Sequence, residues 1–147
     1  MGMFELGTDG PRSILVGVDG SETSLRAGSY AAGMARRQGA EVIVLFVHVP
    51  AGGGLLNPQL MELQRQSQVT VVEELREEIH RHAGALGLQV TFHERHGNPY
   101  LELVRLADEL RVDAVVVGAS MQSGHRLIGS LATRLVRDAR WPVTVVP

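Results

Sequence analysis

The chain has 147 residues, a formal net charge of −2 and no cysteine. That length is one domain's worth of chain and supports a hydrophobic core without staples. The missing cysteines exclude disulfides and thiolate metal sites. The near-neutral charge gives no electrostatic case for nucleic acid or an anionic membrane. All 14 basic residues are arginine, which excludes chemistry that needs a lysine, such as a Walker A phosphate contact or a Schiff base. No apolar run approaches the ~20 residues that span a bilayer. Residues 1–12 lack the basic and apolar regions of a signal peptide. They are expected to form a flexible leader ahead of a single domain at 13–147, and the protein is expected to be cytoplasmic.

In chain order, residues 13–19 (SILVGVD) are the first short apolar run and predict a strand. Residues 21–38 follow with helical spacing, Leu25, Ser29, Ala32 and Ala35 sharing one small face, and Gly39 supplies a stop. Residues 41–49 (EVIVLFVHV) are a second strand, and 50–57 (PAGGGLLN) a glycine-rich loop. A long helix is predicted over 58–86 from Leu60, Leu63, Val72, Leu75, Ile79 and Leu86, its charged side solvated.

Residues 89–95 (QVTFHER) alternate more than the other runs, which suits a strand nearer an edge. A helix over 98–110 carries Leu103, Leu106, Ala107 and Leu110 on one face. A fourth strand at 113–118 (DAVVVG), a helix over 129–139 with Leu131, Leu135 and Val136, and a last strand at Val143–Val146 complete the series. Non-alternating apolar strands are the mark of a sheet covered on both faces. The strict strand–helix alternation predicts an α/β fold, a doubly wound five-stranded parallel sheet with helices on both faces.

Such sheets bind ligands beyond the carboxyl ends of their strands, where strand order reverses. The first and fourth strands end in the most polar turns, Asp19-Gly20-Ser21 and Gly118-Ala119-Ser120. If those strands are neighbours, their tips share a crevice. Asp19 there can accept hydrogen bonds from ribose hydroxyls, or it can help Ser21 cap the following helix. Residues 118–130 (GASMQSGHRLIGS) leave a strand, pass three glycines and open a helix at Gly129-Ser130. Glycines admit a close anion, and a helix start adds partial positive charge. Ser130 can cap the helix or meet a phosphate, with His125 and Arg126 supplying charge.

At these residues the chain resembles the universal stress protein family. The likeness lies in ILVGVDGSETS (residues 14–24), GNPYLELVRLADELRVDAVVVGAS (97–120) and GSLATRLVRDARWPVTVVP (129–147). The resemblance implies a flavodoxin-like or Rossmann-like five-stranded sheet, a stress-response binding and signalling module rather than an enzyme, and a homodimer through the last strand, Val143–Val146. Some members bind ATP or other adenine nucleotides, AMP and cyclic AMP among them, with Mg if a triphosphate is bound; others bind none.

By the same resemblance Asp19 faces the ribose, Val47 offers backbone to the adenine and Gly17 lines the adenine side. Gly118, Gly129 and Ser130 face phosphates, with Val117, Gly124, Arg126 and Leu131 beside them. The family loop reads Gly-x2-Gly-x9-Gly-Ser/Thr. Here Met121 stands at the second glycine and only seven residues separate it from Gly129. The adenosine side is kept and the triphosphate cradle altered, with Gly124 as the compensating glycine. The alternative is a nucleotide-free, dimeric partner-binding protein.

Other constellations fail on spacing. His80 and His82 are two apart on a helix, and His93 and His96 three apart on a strand, so neither pair shares a face. Ser120 lacks the elbow of a serine hydrolase, and a receiver domain needs a lysine. Trp141, before Pro142, is expected to pack the last helix against the last strand.

Overall fold

The computed structural model describes residues 10–50, 57–119 and 128–147. Five strands, β1 (Ser13–Val18), β2 (Glu41–His48), β3 (Val90–His96), β4 (Ala114–Gly118) and β5 (Val143–Val146), alternate with four helices. These are α1 (Glu22–Gln38), α2 (Pro58–Leu86), α3 (Pro99–Leu110) and α4 (Ser130–Asp138). All pairings are parallel, in the order β3-β2-β1-β4-β5. The chain runs outward from β1 to β3, crosses back over the sheet and continues to β5. Strand order therefore reverses between β1 and β4.

Successive strand residues point to opposite faces, and the two sets form two cores. Ile14, Val16, Val18, Val44, Phe46 and Val116 lie beneath α1 and α2. Leu15, Ile43, Leu45, Val115 and Val117 lie beneath α3 and α4. Burial on both faces explains why these runs do not alternate with polar residues. β3 is an edge strand, as its alternation predicts. Trp141 packs on the α3/α4 core, as expected, with the Arg140 guanidinium 4.6 Å from its ring centroid.

Helix ends follow local chemistry. Ser21, Asn57 and Asn98 cap α1, α2 and α3 by accepting backbone N–H groups, and Gly39 takes the left-handed conformation after α1 at φ 66°. Two helix faces differ from the periodic reading. α1 buries Ser24, Ala27, Ala31 and Ala35, while Leu25 stays 43% exposed. Both stripes are small, and the one almost free of bulk beyond Cβ allows the closest approach to the sheet.

In α2 the buried residues are Val72, Leu75 and Ala83, whereas Leu60, Leu63 and Leu86 are exposed. Its 29 residues span about 43 Å at 1.5 Å each, whereas the 8-residue β2 covers about 26 Å. Val71 already lies beside Gly20, past the end of β1. Residues 58–70 therefore run beyond the sheet, and among the described residues no strand lies beneath Leu60 and Leu63. Leu110 and Val136, at the helix margins, are also exposed.

At the other end of the sheet Asp113 joins β1 to β4. Its Oδ2 accepts the N–H groups of Arg12 at 2.8 Å and Ser13 at 3.1 Å. Among the described residues no helix is long and apolar enough to cross a membrane.

Candidate functional site

The register places the strand tips level. Val16 pairs with Val116 across β1 and β4, and Val18 pairs with Phe46 across β1 and β2. Continuing the register, Asp19 and Val47 come one step after the Val18–Phe46 pair, and Asp19 and Ala119 three steps after the Val16–Val116 pair. These three residues stand side by side at the carboxyl edge, at the reversal point.

Asp19 is part of a tight turn. Its Oδ1 accepts the Ser21 N–H at 2.8 Å, and its own N–H donates to Ser24 Oγ at 3.2 Å. Gly20 follows in the left-handed region at φ 87°, a conformation that favours glycine. Asp19 is half-buried, and Oδ2 takes no hydrogen bond from a described residue. Asp19 thus shapes the turn that leads into α1 with one carboxylate oxygen.

At the β4 tip the Ala119 N–H donates to the Val146 carbonyl at 2.7 Å, and the Ala119 carbonyl accepts the Gly129 N–H. That second bond draws the start of α4 onto the end of β4. Gly129, the N-cap, has no side chain with which to cap the helix. Ser130 and Leu131 therefore present first-turn N–H groups at the positive end of the α4 dipole. Ser130 is exposed, and Leu131 is half-buried against the α3/α4 core. An acceptor-only carboxylate and a helix start thus stand at the carboxyl ends of the adjacent strands β1 and β4.

Other predicted site residues take different parts. Val117 is fully buried in the α3/α4 core, so its side chain lines no crevice. Gly118 is buried, and its bare α-carbon is taken up by α1. A methyl group there would come within 2.8 Å of the Thr23 carbonyl carbon and Oγ1. That contact is sufficient to require glycine at this position. The Gly129 N–H is already donated to Ala119, so it is not a free phosphate donor. Gly17 lies within β1, paired with Leu45, on the α3/α4 side by alternation from Leu15. Gly124 and Arg126, with Ser120, Met121 and His125, lie outside the described residues.

One cluster went unread in the sequence. His48 Nε2 lies 3.0 Å from Glu94 Oε2, and the other oxygen of Glu94 pairs with Arg76 of α2. The His96 ring stacks on His48 at 4.5 Å. These side chains fasten α2 to the tips of β2 and β3. His93 points to the other face. Burial, reinforced by Arg95 and opposed by Glu109, holds its imidazole below the ordinary histidine value.

A five-stranded parallel sheet whose order reverses between β1 and β4, with helices on both faces, defines a doubly wound α/β domain. The sequence matches the universal stress protein family over residues 11–147, and the chain belongs to that family. A universal stress protein of Methanocaldococcus jannaschii is 30% identical over 145 residues, covering 92% of this chain and 81% of the relative. Among solved structures, universal stress protein UspA from Lactobacillus plantarum superposes with a TM-score of 0.75 at 22% identity, over 92% of this chain and 97% of that one. A universal stress protein in complex with cAMP gives 0.67 at 26% identity, over 94% and 98%. The protein from Archaeoglobus fulgidus in complex with dAMP gives 0.58 at 26% identity, over 92% and 97%.

Proposed function

We propose that this protein is a cytoplasmic stress-response module that binds an adenosine monophosphate, cyclic or linear, at the carboxyl ends of β1 and β4. The observation that carries the reading is the placement of Asp19 and the start of α4, whose N-cap Gly129 has no side chain, at adjacent strand tips. A carboxylate only accepts hydrogen bonds, so it suits the hydroxyls of a ribose. Backbone N–H groups at a helix start suit a phosphate. In this reading Val47 meets the adenine, Ser130 and Leu131 meet the phosphate, and Arg126 adds charge. Relatives solved with cAMP and dAMP support the choice of adenine nucleotide.

Monophosphates are favoured over ATP for two reasons. Met121 and the seven-residue spacing alter the phosphate loop, and the Gly129 N–H is engaged by Ala119. Binding, rather than turnover, is the proposed activity, since no lysine is available to assist phosphoryl transfer. Isothermal calorimetry with AMP, cAMP and ATP tests the reading. Saturable binding near one per chain is expected, weakened about tenfold or more by Asp19→Ala. No heat with any of the three at millimolar concentration contradicts it.

We further infer that two copies associate through β5. The strand lies at the sheet edge and carries only Val143, Thr144, Val145 and Val146, with no charge to repel a partner strand. The opposite edge, β3, carries His93, Glu94 and Arg95, the kind of charge that discourages edge pairing. A twofold contact along β5 satisfies the unpaired backbone. Light scattering at micromolar concentration is expected to give a dimer; a monomer contradicts the inference.

A further inference from the structure

Ser24 is polar yet fully buried, at 0% exposure. Its hydroxyl accepts the Asp19 N–H at 3.2 Å and donates to the Ser21 carbonyl at 2.9 Å. Its own N–H donates to Ser21 Oγ at 3.3 Å, and the Ser21 N–H returns to Asp19 Oδ1 at 2.8 Å. Asp19, Ser21 and Ser24 thus form a closed ring that holds both the backbone and one carboxylate oxygen of Asp19. The ring is also braced from β4, because a side chain at Gly118 would collide with Thr23 and the Ser24 nitrogen.

We propose that Ser24 is a positioning residue for the crevice: it fixes the direction in which Asp19 presents its remaining carboxylate oxygen, and so sets selectivity for nucleotides that carry a ribose hydroxyl. The inference rests on the reading above, in which Asp19 accepts that hydroxyl. A carboxylate on a loose turn must be ordered when ligand binds, and the ordering subtracts from affinity. A carboxylate already held by Ser24 and Ser21 avoids that loss. Removing the Ser24 hydroxyl leaves the Asp19 N–H without its acceptor inside the fold, and the turn relaxes.

Calorimetry with AMP and with 2′,3′-dideoxyadenosine monophosphate, which has neither ribose hydroxyl, tests the proposal. Ser24→Ala is expected to weaken AMP about five- to tenfold while changing the dideoxy analogue less than about twofold. Ser24→Ala combined with Asp19→Ala is expected to bind AMP no more weakly than Asp19→Ala alone, since both act through one contact. The ratio of two ligands on one variant does not depend on the fraction folded. If Ser24→Ala does not fold, Ser24→Cys, with its weak sulfur acceptor, is expected to show a smaller loss of the same selectivity. Equal loss for both ligands, or an unchanged preference for AMP, overturns the positioning role while the nucleotide reading stands. A native protein that binds neither nucleotide ends that reading and this inference together.

Discussion

The α-carbon of Gly118 lies against Thr23, so that a methyl group at position 118 would come within 2.8 Å of the Thr23 carbonyl carbon. The end of β4 and the first turn of α1 are therefore locked by the absence of a side chain. Gly118→Ala forces backbone apart rather than a flexible side chain. The expected cost is about 1–3 kcal/mol of stability, read as a lower urea midpoint. An unchanged midpoint contradicts the close packing described here.

A second lock lies at the opposite edge. Asp113 receives two backbone N–H groups, from Arg12 and Ser13, and so ties the beginning of β1 to β4. The carboxylate is exposed, which limits its contribution. Asp113→Ala is expected to lower stability by about 1 kcal/mol, with no effect on nucleotide affinity, because the contact is a full strand length from the crevice.

Gly33 lies inside α1, and a Cβ there meets no atom within 4 Å. Among the described residues nothing requires glycine at this position. Gly33→Ala is expected to stabilise the protein by about 0.5–1 kcal/mol through helix propensity. Thermal unfolding checks it, and a lower transition temperature contradicts the open space seen beside α1.

His93 gives a pH dependence with a definite sign. Its folded-state affinity for a proton is depressed below the ordinary value of 6.5, chiefly by burial. As pH falls through 6.5 the unfolded chain takes up a proton that the folded chain refuses, so stability declines until the lower folded value is passed. Above that window the residue makes no difference. His93→Gln is expected to flatten part of the decline in urea midpoint between pH 7.5 and 5. Parallel curves for variant and native protein contradict the assignment.

The strand–helix order was legible because apolar runs and caps are local signals that the fold does not override, whereas the adjacency of β1 and β4 stood in the sequence only as a condition, which the sheet order meets. The rotation of α1 was not. Leu25, Ser29 and Ala32 fit helical spacing as well as Ala27 and Ala31 do, and only the sheet beneath decides between two small stripes. Nor could Leu60 and Leu63 be told from core, since the sequence does not say where the sheet stops under α2. Ser24 looked like one more hydroxyl in a turn; its burial comes from β4, far away in the chain. Nor does the sequence show the packing role of Gly118, because the neighbour that needs its bare α-carbon is Thr23, on another element.

Amide chemical shifts followed during an AMP titration report directly on where ligand sits. The account predicts that the largest changes fall on Asp19, Val47, Ala119, Ser130 and Leu131, and that they saturate together. Changes confined to the outer faces of the helices, or none at saturating AMP, contradict a crevice between the tips of β1 and β4.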